Sequence, residues 1–133
     1  MIQEEKNLSS WGAKATVYLK YDKNIYELAE ILRQGLDLAG FSIETDQDPP
    51  HEYFGVCDAL GFRVWLHHET SIENFDYVIE IKTSNAFEEI FHDKMHDISI
   101  WFAKYISLVC PIKTYVYDNQ LARGFTFTNG KDF

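Results

Sequence analysis

His92 and His96 stand four residues apart in the stretch IFHDKMHDISIWF, with Asp93 between them. On a helix this spacing places both imidazoles on one face, where such a pair can chelate zinc. Catalysis by the ion would further need a third ligand, an open coordination position and a dry cleft. Asp93 is one methylene shorter than the glutamate that activates water in the H-E-x-x-H motif. A helix over about Asn85–Val109, at roughly 100° per residue, gathers Phe87, Phe91, Met95, Ile98, Phe102, Tyr105 and Val109 into its core series. His92 and His96 then fall roughly 140° and 180° away, beside Glu89, Asp93, Ile100, Ala103 and Ser107. The expectation is a solvent face, with no metal and no other cofactor.

His67 and His68, in VWLHHET, form the second cluster. Neighbours on a strand point to opposite faces, so the two imidazoles do not readily share one ion. Arg63, Trp65 and His67 fall on one face, and Phe62, Val64, Leu66 and His68 on the other. Glu80 or Asp76 of a paired strand would stand on the face of His67. A general base with an orienting carboxylate could be built there, although a solvated face with cross-strand charge pairs is the plainer reading. Neither G-x-S-x-G, P-loop nor G-x-G-x-x-G occurs. Cys57 and Cys110 have no CxxC spacing and read as buried thiols. No catalytic constellation follows, and an enzyme is not the expectation.

The elements that hold these residues alternate in period. ATVYLKY carries Ala15, Val17, Leu19 and Tyr21 on one face and Thr16, Tyr18 and Lys20 on the other, as a strand does. In the helix that follows, Asn24 is placed to cap with Glu27 three residues on, Ile25, Leu28, Ala29, Leu32, Leu36 and Ala39 form the stripe, and Gly40 is the expected stop. FSIET reads as a second strand and DQDPPHEY as a loop, because Pro49 and Pro50 cannot sit in a central strand. FGVC and FRVWLHH flank the turn DALG, ETSIEN turns again, and FDYVIEIKT is a strand. After the second helix, IKTYVY pairs with GFTFT. The order β-α-β-β-β-β-α-β(-β) predicts an α+β fold: a largely antiparallel sheet with both helices on one face. One domain over residues 1–133 is expected, with residues 1–12 irregular.

Charge restricts the partners. The net charge is −9, and residues 41–100 hold thirteen acids against three bases. Such an excess repels phosphate backbones and anionic lipid and steers basic partners into contact. No apolar run is long enough to span a membrane and the N-terminus lacks a signal-like h-region, so cytoplasmic residence is the expectation. Acids on exposed connections together with interspersed aromatics mark a contact surface of Asp46, Asp48, Glu52, Tyr53, Asp58, Trp65, Glu69 and Glu73.

In size, acidity and β-α-β-meander-α-β layout the chain resembles the immunity proteins of bacterial contact-dependent growth inhibition and related toxin systems. The likeness covers the whole chain and rests on no residue motif. It implies an antitoxin that binds and blocks a basic protein toxin, a nuclease by the complementarity of acids to a phosphate-binding groove. A small ligand-binding or oligomeric α+β domain, or a small His/carboxylate enzyme, stands as the alternative.

Overall fold

A computed structural model describes residues 12–45, 47, 53–59, 61–83 and 95–132. The chain runs β1 (Ala13–Lys20), α1 (Ile25–Leu36), β2 (Ser42–Thr45), β3 (Tyr53–Ala59), β4 (Phe62–His68), β5 (Tyr77–Thr83), β6 (His96–Asp97), α2 (Ser99–Val109), β7 (Lys113–Asp118), β8 (Arg123–Thr128) and β9 (Lys131–Asp132). The strands form one sheet in the order β2-β3-β4-β5-β1-β7-β8-β9, antiparallel throughout, with β6 pairing parallel to β1. The expected α+β layout is the observed one.

Alternation sets the two faces. Ala15, Val17 and Leu19 of β1, Val64 and Leu66 of β4, and Tyr77, Ile79 and Ile81 of β5 are buried, and the two helices cover them. α1 contributes Ile25, Leu28, Ala29 and Leu32, and lies over β3 and β4. Its start is the expected one: the Asn24 side chain accepts a hydrogen bond from the Glu27 amide at 2.9 Å. Its stop is not. The helix ends at Leu36 with Asp37 in the left-handed region (φ 57°), a conformation that Asp tolerates, so Gly40 comes too late.

The second helix departs further from expectation. α2 begins at Ser99, and the expected residues 85–94, including Phe87, Phe91, His92 and Asp93, lie outside the described residues. β7 pairs with β1 only at Tyr18, Leu19 and Lys20. The edge it leaves open is taken by residues 96–99. The His96 amide donates to Gly12 O (3.0 Å), Ile98 to Lys14 O (2.8 Å), and the Thr16 amide to Ser99 Oγ (2.9 Å). These backbone groups are satisfied by a strand edge instead of a helical turn.

α2 is also rotated from the expected wheel. Ser99, Phe102, Ala103, Ile106 and Ser107 face the sheet, while Tyr105 is exposed and Ile100 packs against the core. Small residues let the helix approach β1 and β7 closely and bond to their surroundings. Thr114 Oγ1 donates to Ala103 O (2.8 Å), and Ser107 Oγ accepts from the Gly130 amide (2.9 Å). Trp101, 60% exposed, lies outside, its ring stacked on Tyr105.

Candidate functional site

The face of the sheet that neither described helix covers is built by register. Val56, Trp65, Glu80 and Thr16 stand side by side across β3, β4, β5 and β1. The next row is Phe54, His67, Val78, Tyr18 and Tyr115. His67 Nε2 lies 3.5 Å from Glu80 Oε1, the pairing anticipated from strand phase. The Glu80 carboxylate raises the basicity of His67 against the opposing effect of burial, and His67 in turn holds Glu80 below the usual carboxylate range. The pair can hold a proton on the imidazole. The charges beside it are matched too: Arg63 Nε and Nη2 donate to Asp58 at 2.9 and 3.3 Å, and Lys82 Nζ sits 5.6 Å from the centre of the part-buried Trp65 ring.

One end of the sheet has a different character. Tyr53, His68 and Tyr77, at the ends of β3, β4 and β5, face the start of α1, where Tyr26 meets them. With Asn24 and Ile25 they line an open pocket of about 310 Å³. The Tyr26 and Tyr53 ring centres are 6.0 Å apart, and His68 meets Tyr77 edge-on at 5.3 Å. Tyr26 is 56% and Tyr53 50% exposed, whereas Tyr77 is buried and donates its hydroxyl to Lys23 O at 2.7 Å. Burial, with the charge of Asp76 next, raises the pKa of the Tyr77 phenol and keeps it a donor. Glu69 directly follows His68, Asp76 directly precedes Tyr77, and the Glu69 amide donates to Asp76 O at 2.9 Å. Among the described residues Glu69, Glu73 and Asp76 form no ion pair. The Glu69 carboxylate accepts from the Ser71 amide at 3.0 Å instead.

The expected contact residues are therefore divided. Tyr53, Glu69 and Glu73 come together at this end, and Thr45, the last residue before the expected acidic loop, pairs with Tyr53 there. Asp46, Asp48 and Glu52 lie outside the described residues. Asp58 is at the far end of the β3–β4 hairpin in its ion pair with Arg63, and Trp65 lies between, on the opposite face from Tyr53. Tyr26, His68 and Tyr77 were missed as site residues. Tyr26 carries a signal, an aromatic residue between the core positions Ile25 and Leu28, but His68 and Tyr77 look like ordinary inward strand positions.

At the other end, the divergence of β1 from β7 opens a polar cleft of about 530 Å³ containing Lys14, His96, Asp97 and Asp118. Asp97 Oδ1 there accepts from both the amide (2.9 Å) and hydroxyl (2.5 Å) of Ser99, the first residue of α2. Among the described residues no three His, Cys, Asp or Glu side chains converge as metal ligands. Cys57 and Cys110 are buried free thiols, as expected, and burial pushes Cys110 up to about 11.

Comparison with protein-family models, curated proteins and solved structures gives no match to this chain. Among the described residues no helix is long and apolar enough to cross a membrane.

Proposed function

We propose that this protein is a binding protein of the immunity type, which blocks a basic protein toxin, a nuclease, by occupying its phosphate-binding groove. The supporting observation is that two half-exposed tyrosines, Tyr26 and Tyr53, stand at the same end of the sheet as Glu69, Glu73 and Asp76, acids that form no ion pair among the described residues. Unpaired carboxylates steer a basic partner and stand in for phosphates, and rigid aromatic anchors slow its departure. The overall charge of −9 acts in the same sense at longer range.

The test is capture of partners from source-cell extract, followed by titration of the captured protein's nuclease activity. A basic protein inhibited reversibly at one-to-one stoichiometry is the expected outcome. Reversing Glu69 and Glu73 to Lys should slow association by roughly tenfold at low salt and flatten its salt dependence. Tyr53→Ala should instead speed dissociation. Durable inactivation at sub-stoichiometric amounts would mean enzymatic modification and would end the blocking proposal.

A further inference from the structure

The pocket at the start of α1 has a chemistry more specific than a general aromatic anchor. We propose that Tyr26, Tyr53, His68 and Tyr77 form a cage for an organic cation, filled by an arginine or lysine side chain of the basic partner. The identity of the cation's carrier rests on the functional reading above; the cage itself does not.

Three rings and an imidazole converge from α1, β3, β4 and β5 on one open pocket of about 310 Å³. Two of the polar groups at the pocket are already engaged. Asn24 Oδ1 accepts from the Glu27 amide, and the Tyr77 hydroxyl donates to Lys23 O. The Tyr26 and Tyr53 rings keep half of their surface toward solvent, and ring faces attract cations through their quadrupole. The N-terminus of α1 opposes this, since its amides carry partial positive charge. Two features offset it: the Asn24 cap and the Glu27 carboxylate in the first turn. The charge of Asp76 reaches the Tyr77 phenol and adds to the negative side, against Lys23, whereas Glu69 acts on Tyr18 and His67 of the opposite face. An apolar ligand would fit the shape, but it would gain nothing from these carboxylates.

The experiment uses the whole protein and small probes. Choline and its neutral isostere 3,3-dimethylbutan-1-ol are titrated while aromatic ring resonances are followed by NMR. Acetyl-arginine methylamide and its citrulline counterpart repeat the comparison with a side-chain cation. The expected result is saturable shifts of the Tyr26, Tyr53 and Tyr77 rings, with each cation binding roughly five-fold more tightly than its neutral counterpart. Tyr53→Phe should retain that binding. Tyr26→Ala and Tyr53→Ala, at exposed positions that leave the core intact, should each abolish it. Equal affinity for cation and isostere, or binding that survives both alanine variants, would overturn the cage. Because no toxin enters the assay, loss of cation binding and absence of a basic partner are separate failures.

Discussion

Gly35→Ala tests the contact that anchors the far end of the helix carrying Tyr26. Gly35 lies in the last turn of α1, against the C-terminus of α2. A Cβ there would stand 2.3 Å from Cys110 Sγ, 3.0 Å from Val109 O and 3.4 Å from Val109 C. Ordinary heavy-atom contacts need about 3.5–4.0 Å, so the sulfur must give way by more than about 1 Å. It has little room, because Cys110 is only 2% exposed and its thiol points at Ile31 O. A backbone carbonyl at 3.0 Å does not rotate aside. Replacing glycine by alanine inside a helix ordinarily gains about 1 kcal/mol, and overpacking a tight contact costs about 1–3 kcal/mol. With backbone as well as sulfur in the way, the upper part of that range applies, and a net loss of about 1–2 kcal/mol is expected. Urea unfolding followed by circular dichroism reads it, with an unchanged m-value as the check on the denatured state. Adding Cys110→Ala should recover about 1 kcal/mol of the loss as a coupling free energy, leaving the carbonyl's share. A Gly35→Ala protein stabilised by the full helix-propensity gain, or a cycle with no coupling, would show that the helices are not this close.

Two further outcomes follow from the sheet and its edge. His67 has its pKa raised above the ordinary 6.5, so its stabilising pairing is full below that value and lost as pH rises through the folded-state pKa. Glu80 is lowered from 4.5, so its share is full above that value and lost as pH falls through the folded-state pKa. Parent and Glu80→Gln should therefore differ most between pH 4.5 and 6.5. Both side chains are more than a third exposed, and solvent screening limits the difference to about 0.5 kcal/mol. In an NMR titration the His67 pKa should fall in Glu80→Gln; an unchanged value would contradict the pairing. Ser99→Ala removes the acceptor of the Thr16 amide and should cost about 1–2 kcal/mol in urea unfolding. Hydrogen exchange at Thr16 should accelerate with it, and unchanged protection would mean that β1 is not closed by Ser99.

Strand phase was legible where alternate residues are buried, as in β1 and β4. The alternation at residues 15–21 and 77–82 placed Val17, Leu19, Ile79 and Ile81 inward, and the same phase put His67 beside Glu80. The Asn24 cap was legible because its partner is three residues away. The start of α2 was not. Apolar spacing continues unbroken from Met95 through Val109, and the open edge of β1, 83 residues distant at the Thr16–Ser99 bond, takes residues 96–98 out of the helix. The wheel of α2 failed for a related reason. Tyr105 falls in the three-to-four-residue apolar series of the longer expected helix, and that periodicity placed it inside. Close approach to the sheet instead selects Ala103 and Ser107. The cage had no local signature, since its four rings come from four elements and meet only after the sheet has formed.

The charges on the two surfaces are the reason the proposed contact surface is placed at one end of the sheet. On the face that neither described helix covers, several charges have a neighbour of opposite sign or a ring: Asp58 with Arg63, Glu80 with His67, Lys82 over Trp65. Charges paired in this way offer little field at a distance, although Lys14, Lys20 and Glu44 share the face. Its indole is already partly buried, which reduces the apolar area that a partner could still cover. At the ends of β3, β4 and β5 both conditions reverse. Glu69, Glu73 and Asp76 form no ion pair among the described residues, and Tyr26 and Tyr53 keep half of their surface toward solvent. Long-range attraction and unsatisfied aromatic area then coincide at one place. Encounter would depend on the carboxylates and residence on the tyrosines, two quantities that separate cleanly because one is screened by salt and the other is not.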